Sequence, residues 1–250
     1  MPNNVELRVV GCGDAFGSGG QFQSCFLIND LNGTLAVDFG ARSLIALRAC
    51  GLDQQVIDQI VLTHFHEDHM GGLPFFLLDR EYVARVDAPL RIMGPRGLAK
   101  RLQDMTEVMC PGVWKKTWRF HLDLIEIDPD RPVQVGDRCI LSKTVRHPTG
   151  PFEATALRVE TCGKVIAFSG DTGWVDALYD IAADSDLFVC ECFDYEEQPY
   201  GGHLSLPVLL SKLPDIQFRR ILLNHLGPEM LANRMSAPFE TLADGAIYAI

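Results

Sequence analysis

A short stretch of the chain joins an apolar run to a cluster of imidazoles and carboxylates. Residues 60–63 (Ile-Val-Leu-Thr) form an apolar, β-branched run that predicts a buried strand. The polar residues that follow it are His64, His66, Asp68 and His69. Because side chains alternate along an extended chain, we expect His64 and His66 to point to one side. Four nitrogen and oxygen ligands at one strand end predict a metal site.

The rest of the chain alternates between short apolar runs and helical patterns. The runs predict strands at Val5–Val10, Cys25–Ile28, Leu35–Val37, Ile60–Thr63, Leu90–Met93, Arg119–Ile127, Ile140–Val145, Ala154–Glu160, Lys164–Ser169, Leu187–Glu191 and Arg220–Asn224. The predicted helices are Leu44–Ala49, Pro74–Tyr82, Leu98–Met109, Val175–Ala183 and Leu206–Leu213, the last with Ser205 as its N-cap. Because the helices interrupt the strands singly and without strict alternation, we predict two packed sheets with helices outside, an α/β sandwich.

Length and composition favour one domain over residues 1–250, since the chain is 47% hydrophobic and no linker or repeat interrupts it. The start of the chain lacks the basic and apolar regions of a signal peptide, and no apolar stretch approaches about 18 residues. We therefore expect a cytoplasmic protein without a membrane partner. The eight cysteines show no paired CxxC spacing and are expected to be reduced, mostly as small buried side chains. A further metal site at Cys190 and Cys192 is disfavoured.

The net charge of −11 disfavours a long nucleic acid as a partner, because such partners are bound mainly through neutralisation of their phosphates. Two local basic clusters are interpreted as solvated faces of a helix and a loop. Their residues are Arg96, Lys100 and Arg101, and Lys115, Lys116 and Arg119. The charge therefore favours a small substrate over a long nucleic acid.

The motif HxHxDH at residues 64–69 resembles the signature of the metallo-β-lactamase superfamily, and this resemblance implies a four-layer αβ/βα sandwich. It also implies the remaining metal ligands: His147 at the first metal position, Asp171 as a carboxylate shared by both positions, and His225 at the second. The resemblance further implies that Asp38, in the segment 35–40, accepts the second ring N–H of a ligating histidine. An ordinary turn carboxylate is the alternative for Asp38.

The glycine-rich stretch 11–20 is similar to the opening of the branch that contains ribonuclease Z and related phosphodiesterases. Within that branch the resemblance pairs Glu191 with His203, so that His203 protonates the leaving oxygen and Glu191 orients it. A Glu and a His that never meet is the alternative. The long tRNA-binding arm of the endonucleases has no counterpart in residues 148–170, which suffice for two strands and a turn. His121 matches no family ligand and is left outside the site.

Seven ligands are too many for one tetrahedral ion, so we expect two divalent transition-metal ions, zinc first, with manganese or iron as alternatives. The implied reaction is hydrolysis of a small or medium phosphodiester by a hydroxide shared between the ions, which Asp68 orients or deprotonates. The same site suits a carboxylic ester, lactone or amide. A tRNA 3′-processing endonuclease and a non-catalytic sensor are less favoured. Oligomeric state is left open, a homodimer included.

Overall fold

The computed structural model describes residues 5–250, apart from the side chain of Gln54, and within that range fourteen strands form two seven-stranded sheets. The strands of the first sheet are β1 (Glu6–Gly11), β2 (Cys25–Asp30), β3 (Gly33–Val37), β4 (Ile57–Val61), β5 (Leu90–Gly94), β6 (Leu122–Glu126) and β14 (Ile247–Ala249). Their order across the sheet is β14-β1-β2-β3-β4-β5-β6. The pairs from β14 to β3 are antiparallel and those from β3 to β6 are parallel.

The second sheet repeats this plan. Its strands are β7 (Val133–Val135), β8 (Arg138–Val145), β9 (Ala154–Thr161), β10 (Lys164–Phe168), β11 (Leu187–Glu191), β12 (Ile221–Asn224) and β13 (Glu240–Thr241), in the order β13-β12-β11-β10-β9-β8-β7. Strands β7 to β10 pair antiparallel, and β10 to β13 pair parallel. Consequently β8, β10, β11 and β12 all run in one direction, and their carboxyl ends share one edge of the sheet.

Helices cover the outer face of each sheet. The helices are α1 (Ser43–Ala49), α2 (Glu67–Met70), α3 (Leu73–Leu78), α4 (Leu98–Met109), α5 (Ala177–Ala182), α6 (Leu206–Lys212) and α7 (Pro228–Asn233). Apolar residues of α1, α3 and α4 pack on the first sheet, and those of α5, α6 and α7 on the second. A third apolar cluster lies between the sheets, where the rings of Phe26 and Phe168 are 5.7 Å apart. These layers form the expected αβ/βα sandwich.

A buried ion pair links the two sheets at the edge away from the predicted metal site. Arg138 of β8 donates two hydrogen bonds to the carboxylate of Asp30 at the end of β2, and both side chains are fully buried. Thr161 donates to the same carboxylate, and Arg138 also donates to Gln59 and to the carbonyl of Gly33. This network compensates the desolvation of both charges.

The eleven predicted strands and five predicted helices are all present, with four corrections. Strand β4 ends at Val61, so His64 and His66 lie in the following loop rather than in extended chain. Strand β6 begins at Leu122, three residues later than predicted. Ser205 occupies the N-cap position of α6, but its hydroxyl makes no capping hydrogen bond. The predicted helix Pro74–Tyr82 is α3 followed by a π-helical turn at Asp79–Val83.

Strands β7, β13 and β14 and helix α2 were not predicted, because they have only two to four residues and show no periodicity. Helix α7, of six residues, was not predicted either. All eight cysteines are free, and four of them are half-exposed rather than buried: Cys50, Cys110, Cys139 and Cys162. Among the described helices, none combines the length and the apolar character needed to cross a membrane.

Candidate metal centre

The predicted ligands meet where strands of both sheets end. His64, His66, Asp68 and His69 follow β4, whereas His147, Asp171 and His225 follow β8, β10 and β12. In open α/β sheets the carboxyl ends of strands are the usual place for ligand binding, because the loops that leave them converge there. The fold therefore brings together residues that are up to 161 positions apart in the sequence, from His64 to His225.

Three histidines form the more exposed half of the cluster. His64, His66 and His147 each offer a ring nitrogen, and these atoms lie within 4.8 Å of one another. Nε2 of His147 is 3.1 Å from Nδ1 of His66, a separation suited to two ligands facing a common cation. His64 is fully buried, the side chain of His147 is 4% exposed, and His66 is half-buried. This group therefore lies nearer to solvent than the other half, all of whose residues are buried.

Two carboxylates and two histidines form the buried half: Asp68, His69, Asp171 and His225. Nε2 of His225 lies 3.0 Å from Oδ2 of Asp68 and 3.2 Å from Oδ2 of Asp171. Nε2 of His69 lies 3.3 Å from an oxygen of each carboxylate. Asp171 also approaches the other half, since its Oδ2 is 3.9 Å from Nε2 of His64 and 3.8 Å from Nε2 of His147.

Neighbouring groups fix which ring nitrogens are free. Nδ1 of His69 donates a 2.7 Å hydrogen bond to Asp38. The hydroxyl and amide of Thr63 also donate to Asp38, and Nδ1 of His64 donates to that hydroxyl. Nδ1 of His147 donates to the carbonyl oxygen of Gly202 across 2.8 Å. In all three histidines the Nε2 lone pair therefore faces the cluster, which is the arrangement a metal ligand needs.

These residues fit a divalent cation. Nε2 of His64 and of His69 are buried and have no hydrogen-bond partner, which is costly unless a ligand satisfies them. Imidazole nitrogens and carboxylate oxygens are the donors that zinc, iron and manganese accept. His225 and Asp38 also have positive φ angles of 55° and 59°, a conformation uncommon outside glycine. Backbone strain of this kind persists where surrounding structure holds a functional side chain in place.

The charges of the cluster support the same conclusion. Burial lowers the pKa of His64 well below its usual value, and the neighbouring imidazoles lower it further, so this ring is neutral and able to bind a metal. Burial alone would raise the pKa of Asp171, but His225, His69 and His64 hold it well below the usual range. Two ionised carboxylates surrounded by imidazoles form a site that attracts a cation.

The predicted pair Glu191 and His203 meets beside the cluster. Glu191 ends β11, His203 precedes α6, and Nδ1 of His203 is 3.0 Å from Oε1 of Glu191. Burial would lower the pKa of His203, but the Glu191 carboxylate outweighs it and raises the pKa to about 9. Burial raises the pKa of Glu191, which also accepts the backbone N–H of Thr172. The ring of His203 lies 4.8 Å from that of His147 and 5.3 Å from that of His225.

Two groups that contact the cluster were not predicted from the sequence. Thr63 links Asp38 to His64, and the Gly202 carbonyl orients His147; a backbone acceptor carries no signal in the residue type. The groups of metal-compatible side chains among the described residues include no cysteine, and Cys190 and Cys192 stay outside them. His121 is exposed and likewise lies outside these groups.

Comparison with known proteins gives one matching family model. The model described as "Anti-Pycsar protein Apyc1" matches residues 5–246. The probable metallo-hydrolase YhfI of Bacillus subtilis is 24% identical over 206 residues, which cover 80% of this chain and 78% of YhfI. A ribonuclease Z of Lachnoclostridium phytofermentans is 35% identical over 123 residues, 48% of this chain and 38% of that enzyme.

Solved structures show the same fold. The metallo-β-lactamase fold protein YhfI superposes with a TM-score of 0.75 at 21% identity, covering 99% of this chain and all of YhfI. The short form of human tRNase Z gives a TM-score of 0.77 at 18% identity, covering 98% and 99% of the two chains. The architecture is thus that of the metallo-β-lactamase fold.

Proposed function

Because this chain belongs to the anti-Pycsar Apyc1 family and is a metal-dependent hydrolase of the metallo-β-lactamase fold, we propose that it hydrolyses a small phosphodiester. The observation that supports this most directly is the contact between His203 and Glu191 next to the histidine and carboxylate cluster. In this pair, His203 would be the proton donor for the ester oxygen that leaves.

Two divalent ions, zinc in the first place, would be held by the two halves of the cluster. His64, His66 and His147 would bind one ion, and Asp68, His69 and His225 the other, with Asp171 shared between them. When bound, such ions lower the pKa of a water toward about 7 and neutralise charge on the phosphoryl group. The approach of Asp171 to histidines of both halves is the geometry that this sharing requires.

The protein groups then have separate tasks. Asp68 orients the attacking water or accepts its proton, and its pKa favours the ionised form because His69 and His225 outweigh the effect of burial. As the water oxygen bonds to phosphorus, the bond from phosphorus to the leaving oxygen breaks, and His203 gives that oxygen its Nε2 proton. Glu191 keeps His203 cationic and fixes its ring through Nδ1.

The fold favours a small substrate. Residues 148–170, where the tRNA-binding arm of an endonuclease is expected, form β9 and β10 with a short turn between them. The net charge of −11 also weakens attraction to a polyanion. Both observations support a short phosphodiester over a long nucleic acid.

The test compares leaving groups in the zinc-loaded protein. The parent should cleave bis-nitrophenyl phosphate and an alkyl phosphodiester faster than a carboxylic ester. His203→Ala should lose about 10²- to 10⁴-fold on the alkyl phosphodiester and much less on bis-nitrophenyl phosphate, because nitrophenolate leaves without a proton. His121→Ala, an exposed histidine outside the site, is the control and should match the parent. Efficient turnover of the carboxylic ester alone would move the protein to the rival class of carbonyl hydrolases.

A further inference from the structure

Arg146 precedes the cluster residue His147, and its guanidinium lies beside Gly173 and Gly201. A Cβ atom at Gly173 would come within 2.6 Å of Nη2 and 2.8 Å of Nε of Arg146, and one at Gly201 would lie 3.5 Å from Nη2. The backbone of Arg146 is held by an antiparallel bridge to Gly173 and by the hydroxyl of Thr172. A side chain at Gly173 would overlap the guanidinium, whereas one at Gly201 would make only ordinary contact with it.

The guanidinium of Arg146 has no hydrogen-bond or ion-pair partner among the described residues. Within residues 5–250 it donates no hydrogen bond to a protein group and forms no ion pair, although the protein has a net charge of −11 and most of its other arginines pair with carboxylates or carbonyls. An exposed arginine whose planar set of donors has no protein partner is suited to bidentate contact with an anionic oxygen group.

A cavity of about 500 Å³ opens beside this guanidinium, lined by Arg146 and the segment 197–201. Tyr200 forms part of its wall and is fixed there by a 2.8 Å hydrogen bond from its hydroxyl to Asp194. The aromatic ring of Tyr200 lies 6.3 Å from the ring of His203. One wall of the cavity, the ring of Tyr200, is thus close to His203, the proposed proton donor.

The chain segment that lines the cavity leads to the residues beside the candidate metal centre. The segment that lines the cavity through Gly201 continues through Gly202, whose carbonyl accepts from His147, to His203. An ester oxygen that leaves toward His203 would carry the rest of its alcohol along this segment. The cavity therefore lies on the leaving-group side of the proposed reaction.

We propose that Arg146 and this cavity form a subsite for a second anionic group, a phosphate or carboxylate on the leaving alcohol of the substrate. This assignment rests on the proposed phosphodiesterase function for its orientation, but the subsite itself depends only on the free guanidinium and the cavity. Glu197 also lines the cavity, is exposed and repels an anionic group. Replacing Glu197 with a neutral residue should therefore strengthen the binding of an anion at the subsite.

The first experiment measures turnover of two methyl phosphodiesters, one of glycerol and one of glycerol 3-phosphate, by the release of glycerol or glycerol 3-phosphate. The parent should prefer the substrate with the additional phosphate in kcat/KM by roughly 10- to 100-fold, the worth of charge-assisted hydrogen bonds. Arg146→Gln should bring this preference close to unity, and Arg146→Lys should retain part of it. Arg219→Gln, an exposed arginine before β12 at the opposite sheet edge, is the control and should keep the parent's preference.

The second experiment measures the affinity of the zinc-loaded protein for glycerol 3-phosphate by calorimetry. Arg146→Gln should weaken binding by roughly 10-fold or more, and Glu197→Gln should tighten it. Equal affinity in the parent and Arg146→Gln, or equal losses on both diesters, would overturn the subsite. If binding depends on Arg146 while neither diester is cleaved, the subsite stands and the proposed phosphodiesterase function fails.

Discussion

Nδ1 of His69 lies 2.7 Å from Oδ2 of Asp38, a residue held at a φ of 59° where β3 enters its loop. The same carboxylate accepts from the amide and hydroxyl of Thr63, which in turn accepts from His64. One buried carboxylate therefore sets the ring orientation of histidines in both halves of the metal centre. We therefore expect Asp38 to contribute to the affinity for metal rather than to the chemical step.

Replacing Asp38 should therefore weaken metal binding before it affects the fold. We expect Asp38→Asn to lower the affinity for zinc by about 10- to 100-fold, because the amide accepts less strongly than the carboxylate from the ring N–H. Competition with a chromophoric chelator gives the affinity. Asp176→Asn, at an exposed carboxylate outside the centre, serves as the control. Parent-like affinity in Asp38→Asn would show that Asp38 is an ordinary turn residue.

Asp171 should couple the two halves of the centre, since its carboxylate oxygens lie near His64, His69, His147 and His225. Asp171→Ala should reduce bound zinc below one ion per chain and abolish hydrolysis together. Elemental analysis and turnover are measured on the same sample. Near-normal turnover in this variant would mean that another residue bridges the metals.

Much of the site was open to prediction because its ligands are local or follow strands with clear apolar patterns. The motif at residues 64–69 and the polar residues after β8, β10 and β12 are visible in the sequence. The contacts of Gly202 with His147 and of Arg146 with Gly173 were not predictable, since they depend on how loops from different strands meet. The pairing of β14 with β1 was not predicted either, because the three residues of β14 are too few to show a period.

Activity on a poor leaving group should depend on pH through His203. The pKa of His203 is raised to about 9, so the donor is protonated below that value and loses its proton as the pH rises through it. The kcat/KM for an alkyl phosphodiester should accordingly fall above about pH 9. Glu191→Gln removes the carboxylate that opposes burial, so the descending limb should move to lower pH. An unchanged limb in Glu191→Gln would exclude Glu191 as the positioning residue, and bis-nitrophenyl phosphate provides a control substrate without this limb.

The ion pair of Arg138 with Asp30 should control stability without affecting the metal centre. Arg138→Met leaves the Asp30 carboxylate buried without its ionic partner, with the Thr161 hydroxyl still donating to it, so we expect a loss of about 3–5 kcal/mol in the free energy of unfolding. Urea denaturation in a fixed zinc concentration measures it. Arg131→Met breaks an exposed pair with Asp128 and should change stability by less than about 0.5 kcal/mol. A loss of similar size in both variants would contradict the role of the buried pair.

We propose that the cluster, loaded with two metal ions, hydrolyses phosphodiesters. A zinc titration tests this most directly. Metal-depleted protein is titrated with zinc while cleavage of bis-nitrophenyl phosphate is followed. We expect cleavage to be absent at the start and to reach its maximum at about two ions per chain. Cleavage that is maximal at one ion per chain, or a fully zinc-loaded protein that does not cleave the phosphodiester, would contradict the account.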